Sequence, residues 1–126
     1  RRAILDVGGD HAGARALGQY RRHIEKAGYA FWIVANARRP LTRSADAIAQ
    51  MVREIQRTSG LTVTGLVNAT NLGDETTAAI ISEGLTMTAE AARGLDIPVI
   101  ASAGLPLFAG AFTHYIPIER YLRPSY

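Results

Sequence analysis

An aspartate and two glycines near the start of the sequence form its most chemically suggestive pattern. Asp6 belongs to the apolar run of residues 3–7, and Gly8 and Gly9 follow just before a helical pattern. This order is typical of a buried strand whose carboxylate emerges at the carboxyl end, where open α/β sheets bind ligands. Glycines there let backbone N–H groups approach a phosphate, and they permit a tight turn with positive φ. We therefore predict a ligand site at residues 6–9.

Asparagines end two further strand-like stretches of the sequence. Asn36 follows the apolar residues 29–35, and Asn68 follows residues 62–67. An amide at such a position can hydrogen-bond a ligand, or it can close an Asx-turn in the chain itself. Because the carboxyl ends of parallel strands share one edge of a sheet, we predict that both asparagines lie on the same edge as residues 6–9.

Basic side chains near these stretches have two interpretations each. Arg38, Arg39 and Arg43 lie in the loop after the second strand and can bind an anion or contact the nucleotide of a second subunit. A short run of charges is also typical of a solvated loop. His11 stands at a helix start, where it can contact a phosphate or a partner, or be solvated.

The helices that must position these residues are marked by periodicity and by capping signals. Apolar residues at helical spacing predict a helix over residues 11–27 that stops at Gly28. Ser44 is a good N-cap for a second helix that closes at Gly60. A third helical stretch begins at residues 72–74, with a predicted break near Gly84 and a second part over residues 88–93.

Four strands, over residues 3–7, 29–35, 62–67 and 97–101, alternate with these helices. Each connection is long enough for a crossover helix and too long for a hairpin, which favours parallel pairing. We predict one α/β domain over residues 1–126, with a doubly wound, mostly parallel sheet and helices on both faces. The aromatic and proline-rich tail, residues 105–126, is expected to wrap the core or to meet a partner.

Composition excludes several classes of protein. The 126 residues are 48% hydrophobic and 20% charged, which suits a folded domain, and the absence of cysteine excludes disulfides, thiolate metal sites and a cysteine nucleophile. No apolar run has the length of a membrane helix, so a cytoplasmic protein without a membrane span is expected. The net charge is +3 and the arginines are scattered, which argues against nucleic-acid binding.

Three short motifs together resemble the later half of MinD/ParA-like P-loop ATPases, which include the nitrogenase iron protein. The motif D-x-x-G of Asp6 to Gly9 resembles the Walker B and switch II segment, which His11 and Arg15 would continue. The strand ending Leu66-Val67-Asn68 and the stretch at residues 94–100 resemble other strands of that family.

The resemblance implies a role for each of these residues. It implies that Asp6 is the catalytic carboxylate that binds Mg²⁺ through water, and that the Gly9 amide faces the γ-phosphate. It further implies that Gly8, Asn68 and Asn36 bind the nucleotide, with Asn68 at the adenine edge. ATP and Mg²⁺ are the implied cofactors of the full-length protein, and a client protein is a possible partner.

The sequence departs from that family because it contains no G-x-x-x-x-G-K-[ST] phosphate-binding loop. We therefore expect the chain to be the later part of a larger nucleotide-binding domain and to hydrolyse no ATP alone. In that family the P-loop strand lies between the Walker B strand and the next strand in the chain. Residues 3–7 and 31–35 are thus expected to lack a shared neighbour, and we predict self-association.

Two alternatives belong to other functional classes. The motif Gly9-Asp10-His11-Ala12-Gly13 resembles the opening of ribose 5-phosphate isomerase B enzymes, although the cysteine base and second phosphate loop of that family are missing. The chain can also be a non-catalytic interaction domain that keeps the fold without nucleotide binding, for which the aromatic tail is the main support.

Overall fold

The computed structural model describes residues 3–119 and shows an α/β fold with a four-stranded, all-parallel sheet, as predicted. The helices and strands follow in this order: α1 (His11–Gln19), α2 (Arg21–Ala27), β1 (Trp32–Ala35), α3 (Ala45–Ser59), β2 (Gly65–Asn68), α4 (Ala78–Leu95), β3 (Val99–Gly104) and β4 (Tyr115–Pro117). Two 3₁₀ turns, Pro40–Thr42 and Pro106–Ala111, lie in the connections after β1 and β3. No helix in this described part is long and apolar enough to cross a membrane.

The helices begin and end where capping chemistry allows. The side chains of Asp10, Ser44 and Thr77 accept backbone N–H hydrogen bonds at the starts of α1, α3 and α4. Gly60 ends α3 in the left-handed conformation, with φ of 72°, and Asp96 ends α4 with φ of 57°. The Ser44 and Gly60 signals predicted from the sequence are confirmed.

The strands are hydrogen-bonded in the order β1-β2-β3-β4, so neighbours in the sheet are also neighbours along the chain. Ile33 of β1 pairs with Leu66 of β2, and both side chains are buried. Residues of α3 and α4 pack on them, among them Ile48, Val52 and Ala91. Helix α3 contacts both α4 and α1.

The predicted first strand is wrong. Residues 3–7 form no strand and are exposed, because no neighbouring strand pairs with them in residues 3–119. The sheet nevertheless has four strands, because the tail supplies β4. This strand pairs in parallel with β3 and aligns Ile116 with Ala103. An isolated apolar stretch cannot satisfy its own backbone groups, so strand formation depends on a partner that local sequence does not specify. Residues 120–126 of the tail lie outside the described residues.

Two helix predictions also need correction. The helix predicted over residues 11–27 is divided at Tyr20 into α1 and α2. The helix predicted to break near Gly84 is continuous as α4, and it begins at Ala78 rather than at residues 72–74. Gly84 is buried inside it, and its lack of a side chain allows Thr70 to pack closely against the helix.

Candidate functional site at the carboxyl edge of the sheet

The carboxyl ends of β1, β2 and β3 lie on one edge of the sheet, as the parallel pairing requires. Two asparagines bridge the loops after β1 and β2. Asn36 Nδ2 donates to the Asn71 carbonyl, and Asn36 Oδ1 accepts from the Asn71 N–H, both at 3.3 Å. Asn36 Oδ1 also accepts from the backbone N–H of Arg38 at 2.9 Å. Asn36 is partly accessible to solvent, and its Oδ1 accepts two hydrogen bonds from the protein while its Nδ2 donates one.

The second predicted asparagine, Asn68, is 0% exposed, and its amide is fully engaged inside the protein. Its Nδ2 donates to the Ile81 carbonyl and to Ser102 Oγ, both at 3.1 Å. Its Oδ1 accepts from the Thr70 hydroxyl at 2.7 Å and from the Thr70 N–H at 3.3 Å. In this arrangement no group of Asn68 is free for a nucleotide base, and the side chain ties β2 to α4 and β3.

Thr70 continues this network and explains a glycine that the sequence did not. Its hydroxyl accepts a hydrogen bond from the backbone N–H of Ala37 at 3.0 Å, which joins the loops after β1 and β2. Helix α4 passes so close that a Cβ on Gly84 would lie 2.0 Å from Thr70 Oγ1. A glycine inside an otherwise helical pattern often marks a position where another part of the chain comes close. The position of Gly84 could therefore have predicted this contact from the sequence. Sequence reasoning missed Thr70, Asn71 and Ser102, which follow strand ends without forming a recognised motif.

Residues 6–9, called here the acid–glycine segment, lie outside this network. They are exposed, and within residues 3–119 no hydrogen bond joins them to the strand-end asparagines. Gly8 and Gly9 do not adopt positive φ, which among described glycines occurs at Gly28, Gly60 and Gly73. The expected positive-φ turn is therefore not formed there.

The surroundings of these two glycines are open. A Cβ on Gly9 would meet nothing within 4 Å, and one on Gly8 would make an ordinary contact of 3.5 Å with Asp10 Oδ1. The fold thus does not require glycine at either position.

Helix α1 begins immediately after the acid–glycine segment. Asp10 Oδ1 accepts from the Gly13 N–H at 2.8 Å, so this carboxylate serves as the N-cap. A Cβ on Gly13 would lie 2.0 Å from the Gly8 carbonyl oxygen, so Gly13 allows the segment to fold closely over the first turn. His11 and Arg15 are exposed on this helix. The residues that resemble the isomerase opening therefore build a capped helix start.

The arginines of the loop after β1 differ in their partners. Arg38 Nη2 forms an ion pair with Glu83 Oε2 of α4 at 2.6 Å, and both side chains are accessible to solvent. Such a surface ion pair contributes on the order of 0–1 kcal/mol to stability. Arg39 and Arg43 are exposed, and the described residues offer neither an ion pair. Two free guanidinium groups thus lie near the carboxyl edge.

A shallow cavity of about 190 Å³ lies between α4, β3 and the connection to β4. Its lining is mainly apolar and includes Leu85, Val99 and Phe112, with Ser102 and His114 as polar members. It is smaller than the roughly 300–1,000 Å³ typical of ligand sites.

Comparison with protein-family models, with characterised proteins and with solved structures gave no significant match. Function is therefore inferred from this chain's own residues.

Whether a metal ion fits near residues 6–9 depends on the side chains there that could coordinate it. Within residues 3–119, no three His, Cys, Asp or Glu side chains gather in a group that could hold a metal ion. Magnesium commonly keeps several waters and takes one or two carboxylates plus phosphate oxygens from the substrate. Asp6 fits that pattern only as a single carboxylate that acts together with water and a bound phosphate.

Proposed function

We propose that this chain supplies part of a nucleotide-binding site of the MinD/ParA-like ATPase class. The acid–glycine segment would meet the phosphates and Mg²⁺, and Asn36 would meet the base or ribose side. Because the sequence holds no phosphate-binding loop, the proposal assigns the β/γ-phosphate cradle to residues beyond these 126.

The observation that carries this proposal is the pair of glycines at positions 8 and 9. Neither adopts positive φ, and neither is packed closely enough to exclude a side chain. Glycine lowers stability through its conformational entropy, so two glycines that the fold does not need favour a function outside the fold. The close approach of a phosphate to backbone N–H groups is such a function, and the positive end of α1 begins two residues later.

Positive charges in the loop after β1 favour an anionic ligand. Arg39 and Arg43 are exposed and carry no ion pair in the described part of the chain, while the formal net charge is +3. Asn68 keeps a supporting role in this proposal, because it fixes the loop that carries Asn71 beside Asn36. Its removal would disturb the edge without removing a ligand contact.

Chemical-shift titration of the ¹⁵N-labelled chain with ATP and Mg²⁺ tests the proposal. We expect shifts at the amides of Gly8, Gly9 and Gly13 and at the side-chain amide of Asn36, with weak affinity. Asp6→Asn should remove the Mg²⁺-dependent part of these shifts. Glu90→Gln, which removes an exposed carboxylate from α4, should not.

Two results would contradict the proposal. One is the absence of any shift at millimolar nucleotide, which would favour the interaction-domain alternative. The other is a set of shifts confined to the cavity beside Phe112. We also expect no measurable ATP hydrolysis by this chain alone, because positioning and charge stabilisation of the phosphates supply most of the catalysis of phosphoryl transfer.

A further inference from the structure

The hydrogen-bonding capacity of the Asn36 side chain is only partly used by the protein. An amide oxygen accepts up to two hydrogen bonds, and an amide nitrogen has two protons to donate. Asn36 Oδ1 accepts from the N–H groups of Arg38 at 2.9 Å and of Asn71 at 3.3 Å, so its acceptor capacity is full. Nδ2 donates one proton to the Asn71 carbonyl, and among residues 3–119 no acceptor takes the other. Asn36 therefore offers a ligand one donor and no acceptor.

The same three hydrogen bonds fix the orientation of this amide. Both partners of Oδ1 are backbone N–H groups, and the partner of Nδ2 is a carbonyl. The reverse orientation would place the NH₂ group against two donors and the oxygen against an acceptor, which would leave these groups without partners. The paired hydrogen bonds by which an asparagine selects adenine require a free amide oxygen. Asn36 cannot form them while its oxygen is engaged in the loops.

The loop after β1 folds back so that two arginines begin close to Asn36. The Asn36 carbonyl accepts from the Arg39 N–H at 3.1 Å and from the Thr42 hydroxyl at 2.5 Å. Arg43 directly follows Thr42 in the chain. Arg39 and Arg43 are exposed and form no ion pair within the described residues. A guanidinium group only donates, so all the free side-chain groups of this loop segment that face a ligand are donors.

We propose that Asn36, Arg39 and Arg43 bind a phosphoryl oxygen and that the base of the nucleotide is not read at this loop. One neutral donor beside two guanidinium groups suits an anionic acceptor, and guanidinium matches the geometry of phosphate. Within the proposed function, on which this contact depends, the α-phosphate is such a group, and it lies on the ribose side of the nucleotide. The chain is then expected to bind nucleotides with little regard to their base.

Mononucleotides separate the phosphate from the base in a test of this contact. The ¹⁵N-labelled chain is titrated to millimolar concentration with AMP, UMP, adenosine and inorganic phosphate. We expect AMP and UMP to shift the Nδ2 proton of Asn36 that has no protein partner, with affinities within about threefold of each other. The proton bound to the Asn71 carbonyl should shift less. Adenosine, which lacks the phosphate, should shift neither proton, and inorganic phosphate, which lacks the ribose, should bind more weakly than AMP.

Asn36→Asp tests the donor. The carboxylate keeps an acceptor for the N–H groups of Arg38 and Asn71, but it has no proton to donate and adds a negative charge. The affinity for AMP should fall by about tenfold or more, because a hydrogen bond to a charged group is lost. Gln19→Glu makes the same exchange of amide for carboxylate at an exposed position of α1, and it should leave the affinity unchanged.

Arg39→Gln and Arg43→Gln test the two charges. Each should weaken the binding of AMP by about threefold to tenfold at low salt, and added salt should reduce the difference, because exposed charges are screened. Arg53→Gln is the matched control. Arg53 is an exposed arginine of α3 that also lacks an ion pair in the described part of the chain, and its replacement should have no effect on AMP binding.

Several results would overturn the phosphate contact. An adenosine shift as large as that of AMP, or an affinity for AMP more than about tenfold above that for UMP, would show that the loop reads the base. With ATP and Mg²⁺, shifts at Gly8 and Gly9 without any at Asn36 would refute this contact alone. Equal binding of inorganic phosphate and AMP at Asn36 would uphold an anion contact and refute the nucleotide of the proposed function. The absence of shifts with every ligand would refute both.

Discussion

Two of the three regions for which the sequence predicts ligand binding at a strand end have opposite characters in the structure. At the end of β2, Asn68 is fully buried and its amide makes four hydrogen bonds to the protein. At residues 6–9, the side chain of Asp6 and both glycines are exposed, and the fold makes no use of their special properties. A polar residue at a strand end therefore indicates a ligand site only when the fold has left its groups free.

Removal of the Asn68 amide is the largest expected effect. Asn68→Ala should lower the free energy of unfolding by about 3 kcal/mol, because each buried polar group left without a partner costs about 1–3 kcal/mol. Asn36→Ala is the matched control at the end of β1, and its solvated groups should cost about 1 kcal/mol or less. Chemical denaturation measures both. Equal losses for the two variants would remove the distinction between a buried and an accessible asparagine.

The packing of α4 on Thr70 is tested by a glycine pair in the same helix. Gly84→Ala should destabilise the protein by about 2 kcal/mol, since the added Cβ overpacks a closed contact. Gly94→Ala adds a Cβ that meets nothing within 4 Å, and it should stabilise by up to about 1 kcal/mol through helix propensity. If thermal unfolding showed the same change for both variants, the close approach of α4 would not limit the fold.

A second glycine pair separates fold from function in the amino-terminal region. Gly13→Ala should cost about 1 kcal/mol, because the Cβ displaces the Gly8 carbonyl and disturbs the Asp10 cap. Gly9→Ala should leave stability unchanged while it weakens nucleotide-induced shifts at residues 6–9. The measurements are denaturation and the ¹⁵N titration. A stability loss at Gly9 as large as that at Gly13 would assign this glycine to the fold.

The smallest expected effect concerns Tyr115 in the tail. Burial raises the pKa of its phenol above the ordinary value of 10, and the neutral hydroxyl donates to the Leu105 carbonyl at 2.9 Å. Because the folded state holds the proton more tightly, this contribution to stability is full below pH 10 and is lost as the pH rises above it. Ultraviolet titration should show a late tyrosine component that Tyr115→Phe removes and Tyr20→Phe retains.

The sequence predicts β1, β2 and β3, because local signals in the residues before and after each of these strands mark it. The apolar residues before Asn36 and Asn68 and the stretch near residues 97–101 became β1, β2 and β3 with shifted ends. Ser44 and Gly60 bounded α3 because capping depends on groups within a few residues. These features follow from local chemistry, so the α/β class could be predicted from the sequence.

Only the tertiary structure decided which apolar stretches joined the sheet and which polar groups became buried. Residues 3–7 and 115–117 are both short, and only the latter found a parallel neighbour, in β3. Gly84 reads locally as a helix breaker, yet the approach of Thr70 from another loop gives it a packing role in a continuous α4. Strand pairing and close approach are contacts between residues distant in the chain, and local propensity carries no information about them.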